Sequence, residues 1–455
     1  SSQHMHPTRI VALAFTAVIA IGTALLMLPI ASKDGKSLDF FDALFTSVSA
    51  VTVTGLATID TELHWTMFGH VVIGLLIQIG GFGIVGFASL VAYLLDGRIS
   101  LRNKLSTSSE ASLNAPDIKS LLKNIAQLML GFQFVLFVFL FVRFLTHYDY
   151  SLQDALGHGV FHAISSFNNA GFALYSDNMM GFARDGWVIV PVFTIVFIAS
   201  LGFPVLVEVI GRLVEKIKGR FNTDFKGTYP RQWSLNSRII LWSSFALLGS
   251  GTLFIALLEW NNPGTLGPLN TMDKIWESIF AAVMPRTAGF NALDISQMNP
   301  ATWLGTEILM FIGGASASTA GGIKLGTFVV LLFVVYTEIR GEAAVNIGNR
   351  RLPRSMQRQA LAIVTIAALV VISATVFMRL TTEFTLDQIL FEVVSATGTV
   401  GLSTGITPQL PDHAKFLLSL LMLFGRLGPI VVATSLAFRK SKRHFEYPQE
   451  RPLIG

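Results

Sequence analysis

Long apolar runs alternate along this chain with short connections of mixed polarity. A helix needs ~20 predominantly apolar residues to cross a bilayer core. Eight stretches meet or approach that length: Ile10 to Ile30, Met67 to Leu95, Ile125 to Val142, Trp187 to Val207, Ile239 to Leu258, Trp303 to Thr337, Ala360 to Met378 and Phe416 to Phe438. The fourth touches polar ends and the eighth contains Arg426. The pattern predicts an all-α membrane protein with eight spans. The first run is longer than a signal-peptide core and lacks a small-residue cleavage site, so it is expected to stay as an anchor.

Alternate connections carry a second, shorter pattern. Each holds a half-apolar segment that ends in a glycine pentad: "FDALFTSVSAVTVTGL" reaching Gly55, "GVFHAISSFNNAGF" reaching Gly171, "ESIFAAVMPRTAGF" reaching Gly289 and "LFEVVSATGTVGL" reaching Gly401. These glycines stand 116, 118 and 112 residues apart. Phe45, Phe161 and Phe391 stand ten residues before their glycines, with Ile279 in the remaining unit, and Ser49, Ser165 and Ser395 stand six before. A second glycine follows at Gly80, Gly202, Gly313 and Gly425. Such regular recurrence predicts internal duplication. Each unit reads as outer helix, half-helix of about ten to twelve residues, glycine pentad and inner helix, the half-helix being too short to span. The units are 8–105, 116–218, 236–341 and 355–440, with 441–455 as a cytoplasmic tail.

Composition agrees with this picture: the chain is 52% hydrophobic and only 13% charged, where an average soluble domain is about 25% charged. With no cysteine, disulfides and thiolate chemistry are excluded. The formal charge of +5 is not a nucleic-acid surface, because 23 of the 33 Lys and Arg cluster before the first span, at 98–123, 212–238 and 340–358, and after 438. The intervening connections are poor in Lys and Arg. By the positive-inside rule both termini and the basic connections are cytoplasmic.

Non-helical backbone at membrane depth is tolerated only where protein buries it or where it lines a watery path. The pentads are therefore expected to meet at an axis. Backbone carbonyls there can replace a cation's water shell, and glycine accepts the angles that aim them inward. Each half-helix, entering from outside, also points its partially negative end at that axis. Close packing of helices would account for a single such glycine, whereas four in register favour a pore.

A further landmark is "GGASASTAGG", ten small residues from Gly313 to Gly322 inside the sixth run, read as a break partway through the membrane. It is not a phosphate loop, lacking that spacing and hydroxyl. Arg426, in "GRLGP", is an intramembrane charge and hence a functional candidate. Two readings stay open: it donates to carbonyls of the 313–322 run and closes the path below the filter, or it pins helices together. Arg286 is expected to point away from the path and to pair with an acid or with carbonyls. His158 and His162 read as packing histidines rather than metal ligands, since no third ligand is near. Glu208, Glu307 and Lys324 lie near span ends and read as snorkelling side chains.

In these motifs, together with "PRTAGFN", "GTVGL" and "GGASASTAGGIK", nearly the whole chain resembles the Trk/Ktr/HKT superfamily of potassium transporters, most closely its Ktr-type membrane subunit. The resemblance implies four outer-helix, pore-helix, inner-helix repeats around a single pore. It implies a selectivity filter at Val53, Thr54 and Gly55; Asn169, Ala170 and Gly171; Thr287, Ala288 and Gly289; and Thr399, Val400 and Gly401. It implies a gate of Gly313, Gly314, Ala315, Ser316, Ala317, Ser318, Thr319, Ala320, Gly321 and Gly322 with Arg426. The extra leading helices of the Trk-type subunit are expected to be absent.

The resemblance further implies a homodimer in the bacterial plasma membrane, docked on a cytosolic ring of nucleotide-binding regulatory subunits. No cofactor is expected in this chain beyond potassium in the pore, with sodium as a further candidate ion. Gly55, where a serine accompanies sodium permeation in the family, implies potassium preference. Alternatives are a carrier with alternating access, disfavoured by the lack of a midplane carboxylate, and a less selective sodium/potassium pathway. A membrane enzyme is disfavoured because no nucleophile, base or metal constellation is visible in the spans.

Overall fold

A computed structural model describes residues 7–104, 115–221, 227, 229–286 and 288–438. It is mostly helical. The helices are α1 (Pro7–Met27), α2 (Phe40–Val51), α3 (Met67–Lys104), α4 (Ala115–Thr146), α5 (Leu152–Phe167), α6 (Gly186–Ser200), α7 (Phe203–Phe221), α8 (Leu235–Glu259), α9 (Thr271–Val283), α10 (Pro300–Ile312), α11 (Leu325–Ile339), α12 (Arg354–Thr381), α13 (Leu386–Thr397) and α14 (Asp412–Phe438). A hairpin of β1 (Asn346–Ile347) and β2 (Arg350–Arg351) links α11 to α12.

Four short helices, α2, α5, α9 and α13, begin alike. Asp39, Ser151, Asn270 and Thr385 cap them by accepting a backbone N–H from the first turn, which satisfies one of its orphan donors. Asp42, Asp154, Asp273 and Asp387 add an acid to each first turn, next to the partially positive helix end. These helices run to 12, 16, 13 and 12 residues, so α5 exceeds the expected length by a full turn and α9 by one residue.

Each short helix lies against the longer helix before it: α2 on α1, α5 on α4, α9 on α8, α13 on α12. The helix that follows one unit packs on the short helix of the next. Thus α3 meets α5, α6 meets α9, α10 meets α13, and α14 returns to α2, so the chain's end closes on its beginning. The buried core follows this layout, with one large cluster around Phe45, Ile73 and Phe391 and another around Phe144, Val192 and Phe280.

Five helices are long and apolar enough to cross a membrane on their own, among the described residues: Arg9–Met27, Met67–Val91, Ile118–Thr146, Leu235–Glu259 and Arg354–Thr381. The run Trp187 to Val207 is not one straight span. It breaks after Ser200, and α7 leaves α6 at 108°. Gly202, with φ +87°, makes that corner, and Pro204 in the first turn of α7 helps to end the preceding path. The run Trp303 to Thr337 is likewise divided between α10 and α11.

At the other end of the short helices, polar contacts hold the connections. Arg143 on α4 makes a two-pronged pair with Asp185, which caps α6 and accepts from the Tyr148 hydroxyl at 2.7 Å. Burial, with Asp185 beside it, raises the Tyr148 phenol above its ordinary value. Glu259, fully buried, accepts from Asn262, Thr265, Asn299 and Thr302 and so fastens the α8–α9 turn to the start of α10.

Candidate functional site

The four glycines meet. A Cβ placed on Gly55 would fall closer than 3.0 Å to the Ala170 carbonyl; one on Gly171, to that of Ala288; one on Gly289, to that of Val400; and one on Gly401, to that of Thr54. The relation is cyclic: each glycine faces the carbonyl that precedes the glycine of the next segment, and the fourth faces the first. The Thr54 oxygen also lies 3.1 Å from the Cβ position of Gly289, across the ring, so the ring is narrow. Gly55, Gly171, Gly289 and Gly401 have φ of +97°, +70°, +73° and +98°, angles that a side chain resists. Val53, Asn169 and Thr399, two residues before their glycines, also have positive φ, while Thr287 lies outside the described residues.

The half-helices deliver these segments and brace them. The N–H groups of Thr54, Ala170 and Val400 donate at 2.8 Å to the carbonyls of Ser49, Ser165 and Ser395. Ser49 and Ser395 then accept from the N–H of Gly55 and Gly401 through their hydroxyls, which gives the recurrent serine its function. Ser165 instead donates to the Phe172 carbonyl, and Val283 occupies the equivalent place before Gly289. Asn168 donates to Gln78 and to the Ile164 carbonyl, and Gln133 also donates to Gln78. Asn169 is fully buried, and its amide atoms have no hydrogen-bond partner among the described residues.

The second glycine of each unit serves two purposes. Gly80 and Gly425 let α3 and α14 press on the Val51 and Thr397 carbonyls, at the ends of α2 and α13. Gly202 and Gly313 lie where helices break.

The small-residue run, 313–322, is not helical. Gly313 (φ +63°) ends α10, Ala317 is left-handed at φ +54°, and the chain re-enters helix only at Leu325. This loop sits against the carboxyl ends of the half-helices. Thr319 donates through its hydroxyl to the Phe167 carbonyl at 3.0 Å, and a Cβ on Gly321 would strike the Thr399 hydroxyl. Ala315 N–H donates to Ser200 and Phe203 N–H to Ala317, which stitches the loop to the α6–α7 corner.

Arg426, only 2% exposed, links loop and ring: its Nε donates to the Thr52 carbonyl at 2.9 Å and its Nη1 to the Thr319 carbonyl at 2.8 Å. Both expected roles therefore draw on one geometry, a pin whose far end is the loop. Arg286 is buried, donating to the Gly313 carbonyl and the Ser244 hydroxyl, each at 3.4 Å; among the described residues its partners include a carbonyl and no acid.

Three side chains expected to snorkel do otherwise. Lys324 donates to the Ala320 carbonyl at 2.7 Å and so becomes another tether of the loop. Glu208 accepts from Arg212, Ser234 and Ser237, and Glu307 is 7% exposed. For Glu208 local apolar context was the wrong guide, because Ser234 and Ser237 lie near in the fold. His162 uses both ring nitrogens internally, toward the His158 carbonyl and the Leu174 N–H, and stacks on His158 and Tyr175, which also stack on each other. Sequence reasoning missed Glu277, which is fully buried on α9 with neither carboxylate oxygen bonded among the described residues.

A family model for the TrkH cation transport protein matches residues 2–447. The chain is 38% identical over 452 residues to Ktr system potassium uptake protein B of Bacillus subtilis, covering 99% of this chain and 97% of that protein. It is 31% identical over 465 residues to the potassium/sodium uptake protein NtpJ of Enterococcus hirae, covering 100% and 98%. The crystal structure of the potassium transporter TrkH from Vibrio parahaemolyticus shares its fold, with a TM-score of 0.74 at 18% identity over 96% of this chain and 87% of that one. With its several long apolar helices the protein is embedded in a membrane, and the chain belongs to the TrkH family of cation transport proteins.

Proposed function

We propose that this protein takes up potassium through a gated, channel-like pore, as the ion-translocating subunit of a Ktr/Trk-type system. The observation that carries the reading is the closed cycle of four glycines and four carbonyls, from Gly55 through Gly171 and Gly289 to Gly401. A ring of converging carbonyls supplies a dehydrated cation with oxygen on all sides, and the carboxyl ends of α2, α5, α9 and α13 add favourable potential. The filter is 53–55, 169–171, 287–289 and 399–401, set in four repeats with eight crossings in all, broken helices included. The loop 313–322, tied to Thr52 through Arg426, is the gate on the inner side.

Charge asymmetry supports cytoplasmic termini. Relatives named as parts of a Ktr system support a protein that works with partner subunits; in this reading it is a homodimer in the bacterial plasma membrane on a cytosolic nucleotide-binding ring. The relative named as a potassium/sodium uptake protein supports a second reading, a pathway that also passes sodium. The test is growth of a potassium-uptake-deficient strain at low external potassium, with the regulatory subunit co-expressed, together with potassium flux in proteoliposomes. Rescue and flux are expected; a folded protein that gives neither refutes the reading.

A further inference from the structure

The corner between α6 and α7 leaves an unusual helix behind it. α7 runs nearly at right angles to α6, which it follows. One side is committed to protein. Glu208 and Arg212 pair with each other at 2.8 Å and bind the 230–237 segment through Ser234, Ser237 and the carbonyls of Pro230 and Gln232, while Glu215 accepts from the Tyr229 N–H. At 3.6 residues per turn, Val207, Ile210, Leu213, Val214, Ile217 and Phe221 fall within an arc of roughly 120° on the opposite side. Leu213, Ile217 and Phe221 are 56%, 50% and 86% exposed. Lys218 and Arg220 border that arc on its two edges, and Lys216 follows behind.

We propose that α7 lies in the cytoplasmic surface of the membrane, its apolar arc among acyl chains and its basic edges on acidic phospholipids, and that this docking sets the position of loop 313–322. An apolar face with basic borders is the composition of a helix that rests in an anionic interface. The 108° turn at Gly202 takes α7 off the line of α6, as the turn of a helix leaving a span for the interface would. The link to the loop is short: the first N–H of α7, from Phe203, donates to the Ala317 carbonyl at 2.9 Å, and Ser200 at the end of α6 accepts from Ala315 at 3.0 Å. A shift or roll of α7 on the lipid surface therefore pulls directly on the loop. The membrane side and the gating consequence rest on the transport reading above, whereas docking itself does not.

The chain has no cysteine, so Ile217→Cys accepts a single bimane label. In vesicles of zwitterionic lipid with a minor fraction of brominated phosphatidylglycerol, the label is expected to be quenched more than with the same fraction of brominated phosphatidylcholine. Replacing Lys216, Lys218 and Arg220 together by Gln is expected to weaken that preference roughly fivefold for each charge removed. Potassium flux of the unlabelled protein is expected to change with the anionic fraction, and the triple variant to lose that dependence.

Equal quenching by the two lipids, or quenching that the triple variant leaves unchanged, overturns the anionic docking. A label shielded without lipid quenching, as a second copy or a soluble partner would shield it, overturns it too. Quenching as expected with a flux indifferent to lipid charge overturns the link to the loop. Absence of all flux beside the expected quenching refutes the transport reading and leaves docking standing.

Discussion

Arg426→Ala removes a side chain that bonds both the residue leading into the first filter segment, Thr52, and the loop. Its two bonds, to Thr52 at 2.9 Å and Thr319 at 2.8 Å, are charge-assisted and buried. Hydrogen bonds to charged groups contribute ~1.5–3 kcal/mol each. Only the bond to Thr319 holds the loop, since the other anchors the arginine. The loop keeps its remaining tethers: Thr319 to Phe167, Lys324 to Ala320 and Ala315 to Ser200. The closed position therefore loses about one such bond, a shift of roughly 10- to 150-fold toward open.

Proteoliposomes loaded with potassium and followed by a potassium electrode are expected to show a rise in flux of that order, limited by the point at which the open state dominates. Arg426→Lys separates tether from charge. A lysine keeps the positive charge but not the planar fork that reaches two carbonyls, so an intermediate flux is expected. Flux that falls or stays level in Arg426→Ala, with parent-like melting in detergent, would remove the loop from the role of gate.

Gly401→Ala places a methyl against the Thr54 carbonyl at φ +98°, so discrimination between potassium and sodium is expected to collapse; unchanged permeability ratios in a folded variant contradict the filter. Ser395→Ala deletes the hydroxyl that accepts from Gly401 and is expected to cost ~1 kcal/mol with weakened selectivity, measured by thermal unfolding and competitive flux. Asp185→Asn removes the charge that pairs with Arg143 and one of the two acceptor oxygens, and a loss of ~2–3 kcal/mol is expected by thermal unfolding in detergent; a shift below ~0.5 kcal/mol would show the pair to be inert. Glu277→Gln keeps the shape of a buried group that lacks partners, so stability is expected to hold or rise, and a strong loss would reveal a partner of the carboxylate.

Much of this architecture is written locally. Apolar runs, half-length segments with an acid in the first turn, and a glycine every 112 to 118 residues are properties of short stretches, and each stretch folds by its own spacing, caps and backbone freedom. The break at 313–322 is legible for the same reason, since ten small residues offer little to hold a helix. Other features depend on residues far apart in sequence. Gly401 faces Thr54 because α14 packs on α2; Arg426 reaches Thr319; and Glu208, expected to snorkel, accepts from Ser234 and Ser237.

The straight span expected from Trp187 to Val207 shows the same limit. Its hydropathy is continuous, but loop 313–322 receives hydrogen bonds from, and donates them to, the corner at 200–203. Hydropathy marked the apolar helices, and the run of small residues marked the break at 313–322, but neither marked the corner at Gly202. Only packing decided how four unequal glycine segments close into one ring, because closure is a contact between chain ends that no local stretch contains.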